Sequence, residues 1–362
     1  MTDAFTFHDP AIGALDLSVF DARQAPFTLH GLYKPQNGGL FRRMPEDVAA
    51  RVSPRVHYLH THPAGARLRF TTNSSVIAVG ATVEAPPDDI SSRTAAYAPG
   101  GAFGFSLYAD GKLCRAVWQE SFIQHGAAID LGIGSGRFEG MMNFGEGKPR
   151  EITLCLPYFL NISALYIGLD KDASLTAAKP YVNEKPVVFY GSSITQGCCA
   201  SHPGNIYQNI LSRRLNIDYL NLGFSGAAKA EDAIVDYLCT LDPCMMVFDY
   251  DHNAKTPEAL AQTHLPALRK LRAAHPEIPF ILLSRPDCAP NPEEVRRRIE
   301  VVEASYRALL ADGCGPVHFI NGMDIFHSHD PDMMILDGTH PTDFGFYCMA
   351  EALYAVMKPY FT

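Results

Sequence analysis

Four short polar segments contain the residue types that nucleophilic attack by a serine requires. A serine nucleophile needs a base that takes its proton, a carboxylate that orients this base, and donors that hold the oxyanion. Asp337 and His340 are three residues apart, so in a turn the carboxylate can orient the imidazole. The segments are Gly191-Ser192-Ser193-Ile194, Asn221-Leu222-Gly223-Phe224-Ser225-Gly226, Asp251-His252-Asn253-Ala254 and Asp337-Gly338-Thr339-His340-Pro341.

These segments follow short apolar runs in the second half of the chain. The runs alternate with segments of helical period, which is typical of βα units and of a parallel sheet covered by helices on both faces. Ligands of such sheets bind at the carboxyl ends of the strands, so we expect the polar segments to meet at one edge. The runs are 186–190, 217–222, 245–250, 279–284 and 316–320, and the helices are predicted near 205–215, 230–239, 258–274, 292–311 and 343–357.

Residues up to about 180 have a different pattern, in which short apolar or alternating runs are separated by turn-forming residues. Many short strands without helical periodicity between them predict an all-β sandwich of jelly-roll type. Asp110-Gly111 between two runs predicts a hairpin turn. We therefore predict two domains, a β-sandwich at 1–180 and an α/β domain at 181–362. The runs include Phe27 to Tyr33, Arg67 to Thr72, Val76 to Val83, Ala102 to Tyr108, Leu113 to Trp118, Ile152 to Leu156 and Ile162 to Leu169.

The four polar segments resemble the four conserved blocks of the SGNH, or GDSL-type, hydrolase superfamily, over essentially all of residues 185–362. The resemblance implies a three-layer, flavodoxin-like α/β domain with a parallel sheet. It also implies that Ser193 is the nucleophile and that Asp337 and His340 complete a catalytic triad. The oxyanion hole implied by the family consists of the Ser193 N–H, the Gly226 N–H and the Asn253 side-chain amide.

Two positions depart from the commonest pattern of the superfamily. Ser192 stands where the GDSL motif has Asp, and Asp251 stands where the third block usually begins with Gly. The longer runs around these blocks resemble a bacterial subgroup with an N-terminal β-domain. That β-domain has a Gly-x-Asp-Leu-Tyr motif, which Gly104 to Tyr108 match except at Ser106.

Each assignment has a simpler alternative. Taken alone, Gly191-Ser192-Ser193 is also compatible with an ordinary strand-to-loop turn. Asn253 is a residue type that often caps helices, and His340 beside a proline is compatible with a structural role. Asp249 and Asp251 are further candidates for the triad acid, although the spacing of Asp337 to His340 is the more specific pattern.

Metal binding is the weaker interpretation of the remaining histidines and cysteines. His60 and His62 would share one face if their segment were a strand, but spacing alone does not supply the other ligands. The adjacent Cys198 and Cys199 are interpreted as thiols beside the site. We therefore predict neither a metal nor a cofactor. The clusters considered are His57, His60 and His62, and His327, His329 and Asp330.

Composition excludes several classes of protein. The chain has 362 residues, 47% hydrophobic and 19% charged, which suits a globular protein with an ample core. The net charge of −9 and the lack of a basic cluster argue against a nucleic-acid partner. The nine cysteines are odd in number and form no disulfide framework. Since no secretory signal or membrane-spanning stretch is recognisable, we expect a cytoplasmic protein without membrane association.

The expected activity is ester hydrolysis through an acyl-enzyme. The resemblance to the subgroup favours O-acetyl esters of a carbohydrate, with a small-molecule or oligosaccharide ester as the partner. A lipid or lysophospholipid esterase and an acyltransferase are the alternatives within the enzyme class, and a glycan-binding protein with an inactive hydrolase fold is the alternative outside it. A homo-oligomer is compatible with the sequence, which specifies neither the sugar nor the acyl position.

Overall fold

The computed structural model describes residues 5–84, 98–117, 136–285, 292–313, 315–327 and 330–361. Two compact units can be distinguished among them. The N-terminal unit contains the described residues of Met1–Arg43, Thr61–Pro180 and His202–Gly204. The C-terminal unit contains those of Met44–His60, Tyr181–Ser201 and Asn205–Thr362. The predicted domain boundary at residue 180 stays a prediction.

The described part of the N-terminal unit contains two antiparallel sheets. One has the strand order β1-β9-β4-β7 and the other the order β10-β3-β8-β5-β6, with β2 also paired to β3. The strands are β1 (Leu17–Asp21), β2 (Thr28–His30), β3 (Arg67–Thr72), β4 (Val76–Glu84), β5 (Phe105–Ala109), β6 (Lys112–Val117), β7 (Arg137–Asn143), β8 (Arg150–Cys155), β9 (Asn161–Asp170) and β10 (Leu175–Thr176).

Aromatic side chains pack the two sheets together. The ring of Phe105 on β5 lies 4.6 Å from that of Phe138 on β7, centroid to centroid. The ring of Phe27 also lies between the sheets, with its centroid 6.2 Å from that of Phe20 on β1 and 5.0 Å from that of Phe70 on β3. These contacts join the inner faces of two sheets, which is the arrangement of a β-sandwich. The predicted sandwich is therefore confirmed.

The predicted hairpin at Asp110-Gly111 is also confirmed. Strands β5 and β6 pair antiparallel on either side of it, with Ala109 opposite Lys112. Asp110 has φ 50° and Gly111 has φ 75°. A two-residue turn with both residues at positive φ matches the right-handed twist of the strands that it joins.

The C-terminal unit contains a five-stranded parallel sheet with the order β12-β11-β13-β14-β15. This is the flavodoxin-like order, in which the chain reverses direction across the sheet after its first two strands. Every residue of β11, β13 and β14 is buried, as expected for strands covered on both faces. The strands are β11 (Val187–Gly191), β12 (Tyr219–Gly223), β13 (Met245–Asp249), β14 (Phe280–Leu283) and β15 (Val317–Ile320).

Long helices follow these strands as predicted and fall into two packed groups. One group contains Tyr207–Leu215 and Asp343–Met357, and the other contains Asp232–Thr240, Pro257–Ala274 and Pro292–Ala311. Thr256 and Thr342 cap two of them, because their hydroxyls accept N–H groups from the first turn. The three-layer α/β prediction is confirmed. No described helix is both long and apolar enough to cross a membrane.

Several helices have no counterpart in the periodicity. Glu46–Val52 and Pro54–Leu59 lie within the region predicted to be β-rich, and the second begins after the Ser53 cap. His60 and His62 do not lie on a strand, because His60 ends the helix that contains His57. In the other histidine cluster considered, His329 lies outside the described residues. The other short helices are Pro10–Gly13, Pro99–Ala102, Ser193–Gln196, Gly322–His327 and Pro331–Met334, and the 3₁₀ helices are Pro35–Asn37, Pro203–Asn205, Asp251–Asn253 and Lys358–Tyr360.

Candidate active site

Ser193 is the first residue of a four-residue helix that begins directly after β11. Ser192 is the N-cap of this helix, and its Oγ accepts the N–H of Ile194 at 3.2 Å. The N–H groups of a first helical turn have no partner within the helix, so such a cap stabilises the turn. The departure of Ser192 from the family pattern thus has a structural role that the sequence alone did not indicate.

Gly191 permits a close approach between this turn and the neighbouring strand. A Cβ atom at Gly191 would lie closer than 3.0 Å to Thr195 Oγ1 and to the carbonyl oxygen of Asp249. The same carbonyl accepts the N–H of Ser192 at 2.9 Å. Lack of space, and not an unusual φ, is the reason that this position needs glycine.

Ser193, His340 and Asp337 form a continuous chain of hydrogen bonds. Ser193 Oγ lies 2.8 Å from His340 Nε2, and His340 Nδ1 lies 2.8 Å from Asp337 Oδ2. With the Nδ1 proton donated to the carboxylate, Nε2 presents its lone pair to the serine hydroxyl. The geometry thus suits a base that removes the serine proton.

Hydrogen bonds keep Asp337 ionised. Partial burial raises the pKa of its carboxyl, but the backbone N–H and the ring of His340 and the N–H of Thr339 outweigh this effect. The result is a pKa below the ordinary value. The two N–H groups donate to Oδ1 at 2.8 and 3.1 Å, while the imidazole occupies Oδ2. An ionised carboxylate both orients His340 and stabilises its protonated form.

The loop that contains Asp337 and His340 is closed at its base. Ile335 and Pro341 form an isolated antiparallel bridge, and the N–H of Leu336 donates to the His340 carbonyl at 2.9 Å. Thr342 follows at once and caps the helix Asp343–Met357. The loop is therefore held at both ends, which fixes the position of the imidazole.

The two remaining oxyanion candidates lie on loops that are joined by hydrogen bonds. Asn253 Nδ2 donates one proton to the Phe224 carbonyl at 3.1 Å, and the N–H of Phe224 donates to the Gly191 carbonyl at 2.9 Å. Gly226 follows two residues after Phe224 and has φ 71°. A Cβ at Gly226 would meet nothing within 4 Å, so its backbone conformation is the reason for glycine here.

Asn253 does not cap the next helix. The helix Pro257–Ala274 has Thr256 as its cap, and Asn253 instead ends the 3₁₀ helix that follows β13. Since an amide nitrogen has two protons and Phe224 accepts one, the second is available to a bound ligand.

The carboxyl groups of Asp249 and Asp251 form hydrogen bonds with groups other than His340. Asp249 is completely buried, and its Oδ2 accepts the Thr195 hydroxyl at 2.9 Å. Burial, reinforced by the charge of Asp251, raises the pKa of Asp249 well above its ordinary value. This carboxyl supports the Ser193 helix through Thr195, and its burial disfavours the charged form that the partner of an imidazole needs.

Asp251 organises the loop that presents Asn253. Its Oδ2 accepts the N–H of Arg285 at 2.9 Å. The buried Arg298 guanidinium donates to the carbonyls of Asp251 and Ala254 at 2.6 and 2.9 Å. Since these carbonyls lie on either side of Asn253, Arg298 fixes the turn between them. The departure of Asp251 from the family pattern is thus also a structural one.

Two further groups lie beside these residues: the sequence pattern did not single out His252, whereas it predicted the thiols of Cys198 and Cys199. Burial, together with the charges of Arg285, His340 and Arg298, lowers the pKa of His252 well below its ordinary value, so its imidazole is neutral. The sulfur atoms of Cys198 and Cys199 and a ring nitrogen of His340 all lie within 4.8 Å of one another. The expectation that these thiols lie beside the site is confirmed, whereas their approach to His340 was not predicted.

Comparison with known proteins identifies the families of both halves of the chain. Residues 184–358 match the GDSL-like lipase/acylhydrolase family. Residues 17–175 match the family described as the N-terminus of the SGNH-hydrolase type of esterase. None of the curated proteins searched matches the chain.

Solved structures similar to this one span both units. A protein from Bacteroides ovatus described as a GDSL-like lipase is 27% identical, with a TM-score of 0.77 over 95% of this chain and 97% of that one. A salicylyl-acyltransferase from a tetracycline biosynthetic pathway is 19% identical, with a TM-score of 0.73 over the same shares. A family two carbohydrate esterase from Clostridium thermocellum, in complex with cellohexaose, is 15% identical, with a TM-score of 0.54 over 82% of this chain and 92% of that one.

The last two similarities concern the fold alone. The family matches go beyond the fold and identify the family of each part of the chain. One match covers the parallel-sheet domain with its four polar segments, and the other covers the β-sandwich. The chain therefore belongs to the GDSL-like lipase/acylhydrolase family through residues 184–358, preceded at residues 17–175 by the N-terminal domain of the SGNH-hydrolase type of esterase.

Proposed function

We propose that this protein is a serine esterase that removes small acyl groups, in particular O-acetyl groups from a carbohydrate. The observation that supports esterase chemistry most strongly is the hydrogen-bonded chain from Ser193 Oγ through the His340 ring to Asp337, with both distances at 2.8 Å. A serine, a base and an ionised carboxylate in this order form the arrangement that activates a hydroxyl nucleophile.

In the proposed mechanism, His340 accepts the proton as Ser193 Oγ attacks the ester carbonyl. The N–H groups of Ser193 and Gly226 and the second amide proton of Asn253 stabilise the tetrahedral oxyanion. His340 then gives its proton to the leaving alcohol, which leaves an acyl-serine. Water, activated by His340 in the same way, releases the acid and restores the serine.

The carbohydrate part of the proposal has independent but weaker support. The family two carbohydrate esterase with the same fold was captured with cellohexaose, so this fold accommodates an oligosaccharide. A β-sandwich joined to a catalytic domain is compatible with glycan recognition. Both arguments rest on the similarity of the folds.

Transfer to a second hydroxyl, or hydrolysis of larger acyl groups, is the second candidate. The similar salicylyl-acyltransferase supports transfer, since an acyltransferase passes the acyl group to an acceptor other than water. Four large apolar side chains are also exposed on the segment around Asp337 and His340, where they could contact an apolar acyl chain. They are Met333, Leu336, Phe344 and Tyr347.

Two assays distinguish these candidates. Initial rates with p-nitrophenyl esters from acetate to long acyl chains should be highest for acetate if the protein is a deacetylase. Acetate release from a panel of acetylated oligosaccharides then tests the carbohydrate assignment. Strong activity on long acyl esters with indifference to every acetylated glycan would overturn it, and no activity on any ester would favour the glycan-binding alternative.

A further inference from the structure

Two adjacent thiols lie at the end of the helix that contains the proposed nucleophile. The N–H of Cys198 donates to the Ser193 carbonyl at 2.9 Å, so the pair is tied to the first residue of that helix. Cys199 has φ 76°, a conformation that residues other than glycine rarely adopt. This backbone turn brings the two sulfur atoms to 3.5 Å from each other.

The third member of the cluster is the imidazole of the proposed triad. A ring nitrogen of His340 and both sulfur atoms lie within 4.8 Å of one another. His340 Nδ1 is bonded to Asp337, so the lone pair on Nε2, which faces Ser193, is the one that a cation would use.

These spacings suit a tetrahedral metal centre. Zinc binds thiolate at about 2.3 Å and imidazole nitrogen at about 2.0–2.1 Å, so neighbouring ligand atoms in a tetrahedron lie about 3.5–3.8 Å apart. Two thiolate sulfurs lie at the upper end of this range, and the observed separation of 3.5 Å is slightly shorter, so a small outward movement would fit a metal ion between them. The second titratable cluster, Asp249, Asp251 and His252, is less suitable, because Arg285 and Arg298 place positive charge beside it.

We propose that Cys198, Cys199 and His340 form a binding site for a thiophilic divalent cation, Zn²⁺ or its analogue Cd²⁺, and that an occupied site is inactive. The cation takes the Nε2 lone pair of His340, so this nitrogen can no longer accept the proton of Ser193. The inhibitory part rests on the function proposed above, whereas binding itself does not.

Binding exchanges protons for the metal without any redox step. Burial, with Cys199 and Asp337 adding to its effect, raises the pKa of the Cys198 thiol well above its ordinary value. Each thiol that binds the cation releases its proton to solvent as its sulfur–metal bond forms. A coordinated cation supplies enough positive charge to deprotonate a thiol that is neutral in its absence.

Titration of the reduced full-length protein with Cd²⁺ tests the site without reference to activity. Thiolate-to-cadmium charge transfer in the ultraviolet should saturate at one ion per chain. Removal of a group that merely orients a ligand costs about 10- to 100-fold in metal affinity, so loss of a ligand should cost on the order of 100-fold or more. We expect this loss in Cys198→Ala, Cys199→Ala and His340→Ala. Cys348→Ala removes a similarly buried thiol elsewhere and should bind Cd²⁺ like the wild type.

Inhibition provides the second readout. Hydrolysis of p-nitrophenyl acetate should fall as Zn²⁺ is added and return on addition of EDTA, and Cys198→Ala/Cys199→Ala should resist Zn²⁺. The proposed metal site would be overturned if the thiolate-to-cadmium band were unchanged in this double variant. It would also be overturned if the wild type showed no such band. Binding without inhibition of an active esterase would overturn the competition for His340. If no ester is hydrolysed, the proposed function fails, and the Cd²⁺ titration still decides the site.

Discussion

The Asn253 side chain has two tasks, and one substitution can remove both. One amide proton holds the Phe224 carbonyl, and the other is proposed to contact the oxyanion. Loss of one oxyanion donor typically lowers kcat by about 10²–10³-fold. We therefore expect Asn253→Ala to lose activity on p-nitrophenyl acetate to this extent with little change in KM. A variant that unfolds like the wild type yet keeps its kcat would remove Asn253 from the oxyanion hole.

The choice of triad acid can be tested with a pair of matched substitutions. Asp337→Asn should favour the wrong tautomer of His340, and a comparable change in a known triad lowers kcat by about 10⁴-fold. Asp249→Asn replaces a carboxyl whose charged form is disfavoured by burial and which bonds to Thr195, so it should retain most of the activity. Steady-state kinetics of both variants decide the question. The opposite ranking would make Asp249 the acid.

At the scale of elements, the short Ser193 helix depends on the strands beneath it. Thr195 on this helix donates its hydroxyl to Asp249 on β13, and the Thr195 carbonyl accepts Asn221 Nδ2 from β12 at 2.7 Å. The helix of the proposed nucleophile is therefore held by three neighbouring strands, since β11 leads directly into it. The short helix is too brief to be stable alone, so these tertiary contacts determine its position.

The two glycines that flank the site should respond differently to the same substitution. Gly191→Ala places a Cβ against the backbone of β13, where a shift is required, so we expect a loss of stability of about 1–3 kcal/mol or more. Gly226→Ala has open space around its Cβ and strains only the backbone, at about 1 kcal/mol. Denaturant unfolding measures both. Equal losses would argue against close packing at Gly191.

The buried Asp249 carboxyl should make stability depend on pH. Its pKa is raised in the folded state, so the unfolded chain ionises first as the pH rises above about 4. This group's contribution to stability is therefore lost with rising pH, by up to about 1.4 kcal/mol per pH unit until the folded pKa is reached. Asp249→Asn cannot titrate and should gain on the wild type in unfolding free energy between pH 5 and pH 8. Parallel profiles would show that Asp249 ionises normally.

At the scale of the whole molecule, periodicity predicted the two kinds of sheet well. An alternating pattern predicted β3 and an apolar run predicted β11, and the polar segments that follow the apolar runs of the parallel sheet contain the candidate site residues. The helices Glu46–Val52 and Pro54–Leu59 were missed, because a short helix in a region of strands has too little periodicity to be recognised.

The roles that sequence did not predict depend on contacts between distant residues. Arg298 reaches the carbonyls around Asn253 from a helix more than forty positions later in the chain, and no local pattern indicates this. The approach of Cys198 and Cys199 to His340 likewise exists only in the folded chain. Ser192 and Asp251 depart from the family pattern, and only their hydrogen bonds in the folded chain show the structural role of each side chain.

Acetyl-ester hydrolysis by Ser193→Ala tests the proposed nucleophile most directly. The kcat for p-nitrophenyl acetate should fall by at least about 10³-fold, because loss of a triad nucleophile leaves only the catalysis of the oxyanion hole and of binding. Ser305→Ala, a similarly buried serine in the helix Pro292–Ala311, serves as the matched control and should keep wild-type activity. A folded Ser193→Ala protein that hydrolyses the ester as fast as the wild type would contradict the proposed mechanism.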